Sequence, residues 1–353
     1  MEIKTKNFLI SKSQPTYFIA DIAANHDGSL NRAKELIELA AKSGASAAKF
    51  QNFRAEKIVS DYGFKELGKK IAHQEMWKKS IFQVYKDAEV PLEWTEELSA
   101  TCDRFEIDYF TATYDIESID FLSNFMDMIK IGSGDINYLD IINKIIEQKK
   151  SIFLATGAST IDEVVRTVDY ILDSKTPLVL MQCNTNYSGQ NENNYFLNLN
   201  VLDQFNNIYP KLILGLSDHS NGHLSVISAV SKGAKVIEKH FTDDKTRIGP
   251  DHGFSLSASE WARMVSDVRE VEIMLGDGNK KVEENEVDSR IVQRRTMRFT
   301  QNLQAGHVIT KSDISVLRPA PKGSEDPYTI DEFIGKKLVK NVKENDILTK
   351  KVI

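Results

Sequence analysis

Eight short apolar runs, rich in β-branched and aromatic residues, recur along the chain: YFIADIA, AAKFQ, YFTAT, MIKIG, SIFLAT, LVLMQC, LILGLS and VIEKHF. Segments with helical spacing lie between them, among them LNRAKELIELAAKSG, TIDEVVRTVDYILDS and HLSVISAVSKG; the first and last close on a glycine at the helix C-terminal position. Continuously apolar strands suit a parallel sheet covered on both faces, and alternation with helices demands parallel crossovers. Eight such units in about 275 residues predict an α/β protein built on a (β/α)8 TIM barrel. A doubly wound open sheet is the competing fold, weakened because no G-x-G-x-x-G follows the first run.

The 353 residues leave room for a second, smaller domain. From about Phe53 to Val90 runs an insertion longer than most loops, expected to fold over one mouth of the barrel. After SASEWARMVSDVREVEIML comes the charged GDGNKKVEENEVDS, a linker or peripheral helix. From Arg290 the pattern changes to short strands such as TMRFT and ISVLR between turn signals, predicting a small, mostly β domain. The expected boundaries are a barrel at 1–275, a linker at 276–289 and the β domain at 290–353.

A net charge of -6 argues against nucleic acid as a partner, although a cleft can still attract a small anion. No signal peptide or membrane-spanning run stands out, so a cytoplasmic protein with no membrane partner is expected. Two cysteines, Cys102 and Cys183, make no disulfide framework, and Cys183 reads as a small buried hydrophobe.

Barrel enzymes place their chemistry at the C-terminal ends of the strands, and here those ends carry Lys, His and carboxylates inside the apolar runs. Residues two apart on a strand share a face, which groups Lys49 with Gln51, Ser217 with His219, and Glu238 with His240. Lys49 and Lys130, with Ser133, Ser217 and the turn GSGD, form a candidate phosphate cradle. The plainer alternative is that each lysine merely pairs with a carboxylate in the barrel mouth. His219 and His240 are candidate ligands for an exchangeable divalent ion able to polarise a carbonyl. Either could equally be an ordinary hydrogen-bonded histidine. Asp21, Glu238 and Asp251 are acid/base or hydroxyl-binding candidates, and Asp251 in IGPDHGF could instead be a turn or cap residue.

Together, ADIAANHDGSL, AAKFQ, IKIGSGD, ATGA, GLSDHS, VIEKHFTDD and IGPDH resemble the signature of the sialic acid synthase family, which makes N-acetylneuraminate, legionaminate or pseudaminate. AGHVITKSDISVLRPAPKG resembles the antifreeze-like (SAF, β-clip) domain that follows the barrel there. The resemblance implies condensation of phosphoenolpyruvate with an open-chain N-acetylated hexose, N-acetylmannosamine first, giving a nine-carbon 2-keto acid and phosphate. It implies phosphoenolpyruvate on Lys49, Lys130, Ser133 and Ser217, and a metal on His219 and His240: Mn2+, with Mg2+ or Co2+ as alternatives. Asp21, Glu238 and His240 would be catalytic; Gln51, Tyr187, Glu238 and Asp251 would meet the sugar. It further implies a homodimer whose small domain covers the partner barrel and brings Arg318 to the sugar. The chain departs from the family in Asp21, where Glu is usual. Ser-Thr-Pro becomes TAT, leaving Thr111 or Thr113 as heir to a hydroxyl contact, and His-Cys-Thr becomes QCNTN, with Gln182, Asn184 and Thr185 as candidate replacements. The competing functions are a legionaminate or pseudaminate synthase using a diacetamido hexose, and a non-catalytic sugar-binding paralogue.

Overall fold

The eight apolar runs are the eight strands of a closed parallel barrel, seen in a computed structural model that describes every residue except 71–73, 76, 188 and 189. A hairpin comes first, β1 (Glu2–Lys4) and β2 (Leu9–Ser11). The barrel follows as β3 (Tyr17–Asp21), β4 (Ala47–Asn52), β5 (Asp108–Thr113), β6 (Met128–Ile131), β7 (Ser151–Ala155), β8 (Leu178–Cys183), β9 (Ile213–Asp218) and β10 (Ala234–Thr242). Neighbours in sequence pair in parallel, and β10 pairs with both β9 and β3, which closes the sheet and excludes the open doubly wound alternative. A short strand, β11 (Leu256–Ser257), continues alongside the end of β10.

Alternate residues of each strand enter two different cores. Phe18, Ala48, Phe50 and Ile129 face outward and pack against the helices. Ile19, Ala47, Phe110, Met128, Phe153, Val179, Met181, Ile213 and Val236 fill the barrel interior, joined by Ile3 and Ile10 of the hairpin. This apolar fill leaves the polar interior positions to the C-terminal ends of the strands. The crossover helices are cut to length by local chemistry. Thr160 and Glu163 form a reciprocal capping box on Ile161–Asp173, as do Ser257 and Glu260 on Ala258–Leu275.

The insertion after β4 carries the short helices Ala55–Ile58, Asp61–Glu66 and Ile81–Asp87. Phe53 and Tyr85 bring two of its parts together, ring centres 5.6 Å apart.

The chain divides between Gly276 and Asp277. In the second unit, the helix Val287–Gln293 precedes the antiparallel pair β12 (Thr296–Phe299) and β13 (Ile314–Leu317). Isolated bridges at Arg298–Ile347, Leu303–Val342 and Val308–Lys337 complete a mostly β unit with its own core, which includes Met297, Phe299, Phe333 and Leu348. Among the described residues no helix is long and apolar enough to cross a membrane.

Candidate active site

The period of two carries each interior face from apolar to polar. Tyr17 and Ile19 lead to Asp21, Ala47 to Lys49 and Gln51, and Met128 to Lys130. Ile213 leads through Gly215 to Ser217 and His219, and Val236 to Glu238 and His240. All these polar residues line one cavity of about 370 Å3 at the C-terminal end of the barrel. Except for Gln51, each is at most 5% exposed.

Charge at the cavity floor is nearly self-compensated. Lys130 Nζ donates to both carboxylate oxygens of Glu238, at 2.6 and 2.7 Å, and Ser217 Oγ donates to Oε1 at 3.1 Å. Lys49 Nζ lies 2.7 Å from Asp21 Oδ2 and 3.3 Å from Glu238 Oε1. Both lysines therefore pair with carboxylates, as the plainer alternative foresaw, and they do so inside one shared cavity. Burial pushes the Glu238 carboxyl up, but Lys130 and Lys49 outweigh it and hold the group down to about 2. Burial likewise raises Asp21, only partly opposed by Lys49.

Burial lowers both imidazoles to about 3, with His240 acting further on His219 and Lys49 on His240. Both rings are thus neutral at neutral pH, the form that ligates metal. Their centres are 5.3 Å apart. His219 Nδ1 lies 2.9 Å from the Asn184 carbonyl; as an N–H it donates there, which leaves the Nε2 lone pair free. His240 has two buried nitrogens with no hydrogen-bond partner among the described residues; Asp21 Oδ2 stands 3.5 Å from Nε2. This pair fits an open two-histidine site. No group of three or more His, Cys, Asp or Glu suited to a metal exists among the described residues, so other positions would fall to water or substrate.

Asp251 also lines the cavity, where its Oδ2 accepts from Ala24 N at 3.1 Å. Burial pushes its carboxyl up to about 7. Ser133 Oγ accepts from Gly157 N at 2.9 Å, an approach that needs glycine there, since a Cβ would stand 2.4 Å from Thr185 Cγ2. Tyr187 lines the same cavity, its ring centre 4.1 Å from that of His219.

Two expected residues are not brought to the cavity, and strand parity is the reason. Thr111 points outward and donates to Asn52 Oδ1 at 2.6 Å. The Asn184 side chain donates to the Phe196 carbonyl, so Asn184 reaches the site only through its backbone bond to His219. Arg318 belongs to the second unit, where its Nε donates to the Gln293 carbonyl. Thr185, one of the three candidate replacements in QCNTN, does line the cavity, whereas Gln182 donates to the Leu197 carbonyl. Conversely, Tyr114 and, from the insertion, Phe53, Trp77 and Tyr85 line the cavity without having been selected from sequence. Cys183 lines it too, though buried as expected. Parity would have found Tyr114, since it follows Phe110 and Ala112 by twos.

A parallel barrel with this polar mouth defines a class, and comparison with known proteins narrows it. The chain belongs to the NeuB family, whose model matches residues 36–280; a SAF domain model matches residues 294–353. It is 33% identical over 342 residues to the N,N'-diacetyllegionaminic acid synthase of Campylobacter jejuni, covering 94% of this chain and 98% of that one. It is 30% identical over 335 residues to the pseudaminic acid synthase of the same species, covering 94% and 95%. Among solved structures, the N-acetylneuraminic acid synthetase of Leptospira borgpetersenii in complex with citrate superposes with a TM-score of 0.72 at 27% identity, covering 82% of this chain and 95% of that one.

Proposed function

We propose that this chain condenses phosphoenolpyruvate with the open-chain form of an N-acetylated hexose, yielding a nine-carbon 2-keto sugar acid and inorganic phosphate. The observation that supports it most is the convergence of two buried lysines and two neutral imidazoles on one cavity. Lys49, Lys130, Ser133 and Ser217 would bind the anionic groups of phosphoenolpyruvate, the lysines partly exchanging carboxylate partners for substrate oxygens. His219 and His240 would hold a divalent ion, Mn2+ before Mg2+ or Co2+, which when bound supplies Lewis-acid polarisation of the acceptor carbonyl.

Carbon 3 of the enol forms the new bond to the aldehyde carbon, and positive charge builds at carbon 2. Asp21 and Glu238, buried on the same floor, are the negative groups able to offset that charge. Water adds to carbon 2, and the bond from carbon 2 to the bridging oxygen breaks as phosphate leaves. Asp251 can hold or release a proton near neutral pH and would face the sugar, together with Gln51 and Tyr187. In the same reading the enzyme is a cytoplasmic homodimer.

The acceptor expected from sequence is N-acetylmannosamine. A second reading, a diacetamido hexose, is favoured by the 33% identity to a synthase named for diacetyllegionaminic acid. The aromatic wall of Phe53, Trp77 and Tyr85 offers apolar surface for acyl methyl groups in either case. Phosphate release from phosphoenolpyruvate, followed with and without Mn2+ across N-acetylmannosamine and diacetamido hexoses, tests the reading. Metal-stimulated release with one of these sugars is expected; release with none would leave a sugar-binding paralogue.

A further inference from the structure

Each strand that feeds the cavity does so through its inward face, and on β5, as on β7, that face carries no polar side chain above its base. Phe110 belongs to the interior core, Ala112 follows on the same face, and the chain then leaves the strand at Tyr114, which lines the cavity. Thr111 and Thr113 face the other way. The one polar group that this segment aims into the cavity is therefore the Tyr114 hydroxyl.

Two neighbours fix where that hydroxyl sits. The Tyr114 ring meets Phe53 edge-on, with centres 6.2 Å apart and an interplanar angle of 77°. Its tip rests over Gly132, where a Cβ would stand 2.7 Å from the phenol oxygen and 3.0 Å from Cε1. Gly132 has φ -67° and ψ 152°, a conformation open to any residue, so what the position demands is the missing side chain. Its successor is Ser133, a member of the candidate anion cradle, and Lys49 is the cation acting most strongly on the phenol. Burial holds that phenol well above its ordinary range, so it remains a neutral O–H donor. Among the described residues no hydrogen bond engages that hydroxyl, while Lys49 pairs with Asp21 and Ser133 Oγ accepts from Gly157 N.

We propose that Tyr114 donates a hydrogen bond to an anionic oxygen of phosphoenolpyruvate beside Lys49 and Ser133, so that β5 contributes to the anion subsite through a phenol and not through a threonine. This rests on the phosphoenolpyruvate reading above. Its phenol oxygen sits over Gly132, next in sequence to Ser133 of the cradle, which is the ground for assigning it to this substrate, while its ring meets Phe53 of the aromatic wall edge-on.

Tyr114→Phe removes one oxygen and keeps the ring. Calorimetric titration of phosphoenolpyruvate into the full chain with Mn2+ should show binding weakened roughly tenfold or more, the range for losing a hydrogen bond to a charged group. The hexose KM should stay within about twofold and the melting temperature close to that of the unsubstituted protein. Gly132→Ala should weaken phosphoenolpyruvate binding through displacement of the hydroxyl, and should cost clearly less in the Tyr114→Phe background. Unchanged affinity in Tyr114→Phe, or a loss confined to the hexose KM, would overturn the assignment while leaving the proposed reaction in place. If the unsubstituted protein itself bound no phosphoenolpyruvate, both would fall.

Discussion

His240 places an imidazole in the cavity with neither nitrogen hydrogen-bonded among the described residues, so its removal breaks no hydrogen bond and costs only its ring contacts with Tyr187, His219 and Phe254. His240→Ala should therefore keep the melting temperature within a few degrees while Mn2+ affinity, read from the free-ion electron paramagnetic resonance signal, falls by roughly 100-fold or more and turnover disappears. Retained Mn2+ affinity would remove the metal assignment. Asp135, in the GSGD turn, makes a different test. Burial pushes its carboxyl up to about 6 from an ordinary 3.8. The folded state then holds its proton more tightly than the unfolded state, so the stability tied to this group is full below about pH 4 and is lost as pH rises through 6. Asp135→Asn should accordingly be more stable than the unsubstituted protein at pH 8, by about 1–2 kcal/mol, and indistinguishable near pH 4 in urea unfolding. A variant equally destabilised at both pH values would contradict this. At this scale the sequence was legible wherever parity could be counted within one run: Lys49 with Gln51, Ser217 with His219, Glu238 with His240. Thr111 and Asn184 were chosen for chemistry without their parity, and both side chains point away from the cavity.

At the scale of elements, β9 and β10 deliver both histidines, and beside their backbone ladder and the inner Ser217–Glu238 bond a buried ion pair joins them on their outer faces. Lys239 is 1% exposed and donates to Asp218 Oδ2 at 2.6 Å and to the Ser220 carbonyl at 2.5 Å. Asp218 also accepts from Ser220 N, Ser220 Oγ and Ser225 Oγ. Removing one member of such a pair strands the other in a dry interior, so Lys239→Met should cost about 3–5 kcal/mol in denaturant unfolding; a cost below about 1 kcal/mol would show that Asp218 is satisfied without it. The strands themselves were legible because each is a short apolar run bounded by helical spacing. The insertion between Phe53 and Val90 was legible only as an excess of length. Its helices are short, and its aromatic residues acquire a face only when Phe53, Tyr85 and Tyr114 are brought together across the chain.

For the whole molecule, the change of pattern near Arg290 marked a second body, and the chain divides at Gly276 into units with separate cores. The helix Val287–Gln293 spans that change of pattern, and the continuous Asp277–Ile353 segment encloses Phe299, Phe333 and Leu348. Expressed alone, residues 277–353 should unfold in one cooperative thermal transition by circular dichroism. A gradual, featureless melt would mean that this core does not suffice by itself.

The central claim is that an oxyanion cradle and a metal-holding histidine pair open onto the same space. Crystals grown with Mn2+ and phosphoenolpyruvate, with anomalous diffraction recorded at the manganese edge, test it most directly. The account predicts a manganese peak shared by His219 and His240, with the phosphate and carboxylate of phosphoenolpyruvate on Lys49, Lys130, Ser133 and Ser217 in that cavity. Manganese bound elsewhere, or phosphoenolpyruvate bound away from these lysines, would contradict it.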